Sequence, residues 1–219
     1  MRYTWRVLVL AVGLAVSQPS SARFDYWVLA LSWSPEYCAS DEARPDSRQC
    51  ARSREFVVHG LWPQYERGHP EFCDNRSGVP MRISDRVAPL MPDRTLVYYQ
   101  WRKHGTCSGL GVDDYFTQVE KAVESVLIPS AALARAATQP TSRARLKREF
   151  LVANPRLSSR SITLECRGDY LREVRICLDQ ALRPRPCGND VREGCPSELR
   201  VRAPGPDLDR SVNVRPVRH

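Results

Sequence analysis

Residues Tyr26–Trp33 read Y-W-V-L-A-L-S-W, a nearly continuous apolar run that ends just before a proline. A short apolar run with such a boundary is typical of a buried strand. Glu55–Leu61 predicts a second strand. Two shorter runs, Ile162–Cys166 and Tyr170–Leu178, are separated by Gly168 and predict a β-hairpin.

Between these strands the spacing of apolar residues changes to that of helices. Gly105 is predicted to end one helix in the left-handed conformation, and Asp113 or Asp114 to cap another. The predicted helices are Arg94–His104, Asp113–Leu127, Ser130–Ala137 and Thr141–Ala153. Loops are predicted over Ala39–Arg54 and Pro63–Pro80. This mixed order favours a single α+β domain over a doubly wound sheet.

The first 22 residues have the pattern of a secretory signal peptide. Arg2 and Arg6 form a basic start, Val7–Val16 is apolar, and Ser20–Ala22 offers small residues for cleavage. A membrane anchor is the weaker alternative, because spanning a bilayer takes about 20 apolar residues. We therefore expect a secreted or periplasmic protein without a membrane anchor.

After that segment we expect one domain, residues 23–202, and a flexible tail, residues 203–219, rich in Pro, Arg and Asp. All eight cysteines follow the predicted cleavage point. An even count in an exported chain favours disulfides over metal ligation, although counting cannot give their pairing. The cysteines are Cys38, Cys50, Cys73, Cys107, Cys166, Cys177, Cys187 and Cys195.

The chain carries a formal net charge of +8, and its basic residues are almost all arginines. Such a surface attracts polyanions and speeds their encounter. A solubilising surface explains the same composition, so charge supports a nucleic-acid substrate without establishing one.

Two of the four histidines lie in dense local patterns. His59 stands in F-V-V-H-G-L-W-P-Q, residues Phe56–Gln64, and His104 stands in W-R-K-H-G-T-C, residues Trp101–Cys107. Metal-free RNA cleavage needs two groups that titrate near neutrality, one to take a proton from the 2′-hydroxyl and one to protonate the leaving oxygen. Taken singly, His104 also fits a helix cap.

These two segments resemble the active-site segments of the ribonuclease T2 family of secreted endoribonucleases. The resemblance continues in Asp25–Cys38, D-Y-W-V-L-A-L-S-W-S-P-E-Y-C, and in Leu171–Cys177, L-R-E-V-R-I-C. It covers roughly Asp25 to Cys195. It implies a mainly antiparallel central sheet flanked by helices and stabilised by disulfides. The implied pairs are Cys38–Cys50, Cys73–Cys107, Cys166–Cys195 and Cys177–Cys187.

The resemblance also implies a mechanism without metal or cofactor. His104 is then the base and His59 the acid of a transesterification that gives a 2′,3′-cyclic phosphate, which is hydrolysed to a 3′-phosphate. Lys103 is expected to stabilise the phosphorane and Trp62 to bind a base. Gln64 is a candidate for a hydrogen bond to a base edge. We expect RNA as the substrate and a monomeric protein.

The chain departs from the family pattern at two positions. Tyr99 replaces a phosphate-contacting histidine, and Gln100 replaces a carboxylate that supports catalysis. Both are still expected to support the reaction or contact phosphate. Two alternatives stay open: a catalytically impaired homologue that binds RNA or another polyanion, and a disulfide-stabilised recognition or toxin-like protein.

Overall fold

A computed structural model describes residues 24–51, 54–74 and 78–205 of the chain. The predicted signal peptide lies outside these residues, as does most of the predicted tail. In the described residues the strands are β1 Tyr26–Trp33, β2 Phe56–Gln64, β3 Thr141–Ser142, β4 Ile162–Arg167, β5 Tyr170–Leu178 and β6 Glu198–Leu199. The helices there are α1 Ser34–Cys38, α2 Met81–Val87, α3 Arg94–Lys103, α4 Val112–Glu124, α5 Ser130–Ala136 and α6 Arg143–Ala153.

The main sheet has four antiparallel strands in the order β2-β1-β5-β4. The first apolar run of the sequence is thus an inner strand, which explains why seven of its residues are buried in the pattern BBBBBBiB. The hairpin predicted around Gly168 is present, and this glycine has φ +59°. The expected α+β fold with a mainly antiparallel sheet is confirmed.

The helices and one face of the sheet enclose the hydrophobic core. Trp27, Leu29, Leu31 and Trp33 of β1 belong to it and pack with residues such as Phe116 of α4. Every second residue of a strand points to the same face, so the other face of β1 carries Val28, Ala30 and Ser32. No helix of the described residues is long and apolar enough to cross a membrane.

The helix boundaries correct the sequence prediction at three places. Gly105 is not left-handed; it begins a short 3-10 turn, and a Cβ there would lie 2.3 Å from the Trp101 ring. The cap predicted at Asp113 or Asp114 is wrong, because α4 is capped by Gly111. The last helix begins two residues late, since Thr141–Ser142 pair with β6. The helices α1 and α2 were not predicted.

The four disulfides join Cys38 to Cys50, Cys73 to Cys107, Cys166 to Cys195 and Cys177 to Cys187. The pairing that the resemblance implied is confirmed. The bond between Cys73 and Cys107 closes a separation of 34 residues and ties the loop after β2 to the turn after α3. Closing a loop of this size contributes about 3–4 kcal/mol in the chain-entropy account of disulfides.

Candidate active site

His59 occupies a β-bulge in β2. Ala30 of β1 pairs with Gly60 and Leu31 pairs with Val58, so His59 has no partner in the register. Both Val58 and Leu61 face the core although they are three residues apart, which the extra residue makes possible. The bulge thereby turns the His59 side chain to the sheet face that points away from the hydrophobic core, where it is one-third exposed.

A buried carboxylate holds the ring of His59 on that face. His59 Nδ1 donates a hydrogen bond to Glu173 Oε2 at 2.6 Å, and the Glu173 side chain is only 3% exposed. Burial alone would raise the pKa of Glu173, but hydrogen bonding and charge from His59 and Arg175 outweigh it and leave the pKa below its usual value. An ionised Glu173 accepts this hydrogen bond and so fixes both the orientation of the ring and the proton on Nδ1.

Arg175 completes the support of this carboxylate. Its Nε donates to Glu173 Oε1 at 2.6 Å, and its Nη1 donates to Glu165 Oε1 at 3.0 Å. The β1 residues that lie opposite Glu173 and Arg175 are Ser32 and Ala30. Their small side chains leave room for Glu173 to reach across β1 to β2.

Trp62 lies between the two predicted catalytic histidines. Its ring centroid is 5.2 Å from that of His59 and 5.3 Å from that of His104. The indole nitrogen donates to Gln100 Oε1 at 2.7 Å, and the Arg175 guanidinium lies 5.5 Å from the ring centroid. The indole therefore spaces and orients both imidazoles, and the buried amide of Gln100 fixes the indole.

His104 caps the C-terminus of α3, and its backbone N–H donates to Gln100 O at 2.9 Å. The residue is 5% exposed, and its Nδ1 has no hydrogen-bond partner within the described residues. Burial, followed by the positive charges of Lys103 and His69, lowers the pKa of His104 to about 3, although Glu71 opposes the shift. The ring is therefore neutral at neutral pH.

Three further charged groups lie beside His104. Lys103 Nζ is 3.1 Å from Glu71 Oε1, and His69 Nε2 is 2.7 Å from the same oxygen. The ring centroids of His69 and His104 are 6.2 Å apart. Hydrogen bonds from His69 and Lys103 hold the pKa of Glu71 below its usual value.

A cavity of about 400 Å³ adjoins the site. His59, Tyr99 and Glu173 contribute to its wall, with polar and charged side chains such as Ser32 and Arg172 around them. Tyr99 is half exposed, and its ring is the one that Lys103 approaches, at 5.9 Å. The cavity therefore opens from the His59 side of the site toward solvent.

Neither residue that the sequence nominated for base binding lines this cavity. Trp62 is held between the imidazoles, as described above. Gln64 is 5% exposed at the far end of β2, where it pairs with Tyr26 in the sheet register. The roles predicted for these two residues stay predictions.

Four residues of this site were not predicted from the sequence: Glu173, Arg175, His69 and Glu71. One signal for the first pair was available, because three charged residues interrupt an otherwise apolar strand, L-R-E-V-R-I-C. Charged residues in such a strand indicate a built polar site. No comparable signal marks His69 and Glu71, which lie in a polar loop. Within the described residues, no group of three or more His, Cys, Asp or Glu side chains is placed to hold a metal ion.

The low pKa of His104 predicts that acid destabilises the fold. The unfolded chain takes up a proton at His104 near pH 6.5 and the folded chain only near pH 3, so stability is full above pH 6.5 and falls as the pH is lowered toward 3. We expect the free energy of unfolding in urea to drop by about 2 kcal/mol between pH 7 and pH 5. His104→Asn should flatten this dependence, whereas His69→Asn should preserve it; parallel slopes for wild type and His104→Asn would contradict the assignment.

A model of the ribonuclease T2 family matches residues 24–187. A ribonuclease of Aeromonas hydrophila is 48% identical over 95 residues, which cover 43% of this chain and 43% of that protein. A probable ribonuclease of Haemophilus influenzae is 32% identical over 135 residues, or 55% of this chain and 50% of that protein. The matched regions span half or less of the length of both relatives.

Solved structures show the same fold. An RNase-related protein from Calystegia sepium superposes with a TM-score of 0.65 at 24% identity, covering 81% of this chain and 96% of that one. RNase NT in complex with 5′-AMP superposes with a TM-score of 0.64 at 23% identity, covering 82% and 98%. At these identities the likeness concerns the arrangement of the backbone.

Proposed function

Because the chain belongs to the ribonuclease T2 family, we propose that it is an endoribonuclease that cleaves single-stranded RNA by attack of the 2′-hydroxyl. The observation that carries this proposal is the difference between the surroundings of two imidazoles, His59 and His104, that contact the same indole ring of Trp62. His59 forms a hydrogen bond with a buried carboxylate, whereas His104 is buried beside a lysine that favours its neutral form. Environments that separate two titratable groups in this way assign an acid and a base.

In the first step His104 takes the proton of the 2′-hydroxyl, and the 2′-oxygen attacks the adjacent phosphorus. His59 gives its proton to the departing 5′-oxygen, which leaves a 2′,3′-cyclic phosphate. In the second step the roles reverse: His59 takes a proton from water, and His104 returns one to the 2′-oxygen, which yields a 3′-phosphate. The same two rings thus serve both steps without a net change in protonation.

Binding of the substrate changes the pKa of the proposed catalytic base, His104. A phosphodiester bound beside His104 brings a negative charge into a buried site, and this raises the pKa of His104 toward the range that proton abstraction needs. Lys103, which is one-quarter exposed at the end of α3, supplies a positive charge for the phosphorane oxygens. A base or ribose has room in the cavity next to His59.

The protein is further proposed to act outside the cytosol as a secreted or periplasmic monomer. The four disulfides support this location, because such bonds persist in oxidising compartments. The net charge of +8 favours encounter with a polyanionic substrate.

A single oligoribonucleotide can test this function. One central ribose carries a 2′-O-methyl group, and the digestion is run in excess chelator with the products identified by mass spectrometry. We expect cleavage at the neighbouring linkages with 2′,3′-cyclic phosphate and 3′-phosphate ends, and none at the methylated position. Cleavage at that position, or 5′-phosphate ends, would refute the mechanism. Binding without any cleavage would support the alternative of an impaired homologue that acts as an RNA or polyanion binding protein.

A further inference from the structure

The loop after β2 brings an imidazole and a carboxylate to the end of α3. Glu71 Oε1 lies 2.7 Å from His69 Nε2 and 3.1 Å from Lys103 Nζ. The His69 ring lies 6.2 Å from that of His104. The side chains of His69, Glu71 and Lys103 are 40%, 37% and 25% exposed, so a ligand can reach all three.

The loop is held in this position at both ends. Phe72 N–H donates to Lys103 O at 2.9 Å, and Cys73 is bonded to Cys107. At the other end Tyr65 N–H donates to Gly68 O at 3.0 Å, and the N–H of Gly68 donates to the carboxylate of Asp190. Phe72 has φ 50°, a strained value for an aromatic residue, and strain of this kind persists where the surroundings fix the backbone.

Helix α3 itself offers neither of these groups. The two positions of α3 at which the chain departs from the family pattern are Tyr99 and Gln100. The Gln100 side chain is 1% exposed, and its oxygen accepts the hydrogen bond of the Trp62 indole. Gln100 is therefore engaged inside the protein, and it carries no charge.

We propose that His69 and Glu71 replace, from a different segment, the phosphate-contacting imidazole and the supporting carboxylate that α3 lacks. In this proposal, which rests on the proposed function, His69 donates a hydrogen bond to a non-bridging oxygen of the scissile phosphate. Glu71 is a positioning residue that holds His69 and Lys103 at the spacing that one phosphate requires. Charge-assisted hydrogen bonds of this type are stronger and more directional than neutral ones.

The charges around Glu71 agree with this role. Glu71 faces Lys103 and His69 directly, and the neutral ring of His104 lies behind them. His59 and its partners Glu173 and Arg175 lie on the other side of the Trp62 indole. Without Glu71 the His69 ring and the Lys103 ammonium would lose the carboxylate that both contact. With Glu71 they stay together until a phosphate arrives.

An alternative role for Glu71 predicts the opposite effect of removing this carboxylate. If Glu71 merely occupied the place of the phosphate on Lys103, its removal would free the lysine and improve substrate binding. If Glu71 positions His69 and Lys103, its removal lowers kcat and leaves KM nearly unchanged, because the geometry matters most when charge develops on the phosphorane.

The test compares Glu71→Gln, Glu71→Asp and His69→Gln on one minimal RNA substrate, with Glu66→Gln as the matched control from the same loop. Glu66 pairs with Arg185 at 2.6 Å, away from Lys103. We expect about tenfold lower kcat for Glu71→Gln, partial recovery in Glu71→Asp, and no effect of Glu66→Gln. The double variant Glu71→Gln/His69→Gln should lose little more than either single one, since the residues act as a unit.

An unchanged kcat for Glu71→Gln, or a lower KM with full kcat, would overturn the inference. Titration of inorganic phosphate into wild type and His69→Gln gives a readout that does not depend on turnover. About tenfold weaker binding by His69→Gln supports the phosphate contact, and equal affinity refutes it. Failure of the wild type to cleave RNA would count against the proposed function. The phosphate titration would still decide whether His69 contacts phosphate.

Discussion

His59→Ala is expected to lower kcat on ordinary RNA by about 10²–10⁴-fold, and most of this loss should vanish on a substrate whose leaving 5′-oxygen is replaced by sulfur. General acid catalysis contributes a factor of this size when the leaving group needs a proton. A thiolate leaves without one, so the acid becomes dispensable. His104→Ala should lose as much on ordinary RNA and recover nothing on the sulfur substrate, because the 2′-hydroxyl still needs a base.

The measurement is single-turnover cleavage of both substrates by wild type and the two variants. Binding of a 2′-deoxy analogue and the urea midpoint serve as controls for an intact fold. Rescue of His104→Ala in place of His59→Ala would invert the assignment of acid and base. Equal rescue of both would remove the support that the contrasting environments give to it.

Glu173→Gln is expected to lower kcat by about 10- to 100-fold with little change in KM. A glutamine at this position can still accept the Nδ1 hydrogen bond of His59, but it has no charge to stabilise the imidazolium. A hydrogen bond to a charged group is worth about 1.5–3 kcal/mol, which corresponds to a rate factor of this size.

Glu165→Gln is the matched control for this prediction. Glu165 accepts a hydrogen bond from Arg175 at 3.0 Å in the same network. Glu165→Gln should change kcat by less than about threefold, which is the usual range for an indirect contact. Equal losses in both variants would show that the network acts through stability rather than through the charge of Glu173.

The architecture was largely predictable because its signals are local or highly specific. The apolar run of β1, the glycine turn before β5 and the period of the helices each follow from nearby residues. The two histidine segments identified the family, and with it the disulfide pairing. The error at Gly105 arose because the rings of Trp101 and, from α4, Tyr115 leave no room for a side chain at this position, which overrides its local preference.

The candidate site, too, was predictable only where its signals are local. The sequence nominated His59, Lys103 and His104 as a reactive set, and their local patterns suffice for that. It could not indicate that His59 lies in a bulge, because a bulge is defined by the register of a second strand. Nor could it indicate that Glu173, 114 residues away, would contact that ring.

By itself the sequence determined the secondary structure of the sheet and the family, and it nominated two imidazoles as the catalytic pair. Only the tertiary structure decided the surroundings of each ring. The charge of a titratable group depends on burial and on groups within a few ångströms, and those groups come from β5, from α3 and from the loop after β2. Because electrostatic interactions act through space rather than along the chain, the burial that keeps His104 neutral and the carboxylate that contacts His59 are in place only once these segments are packed together.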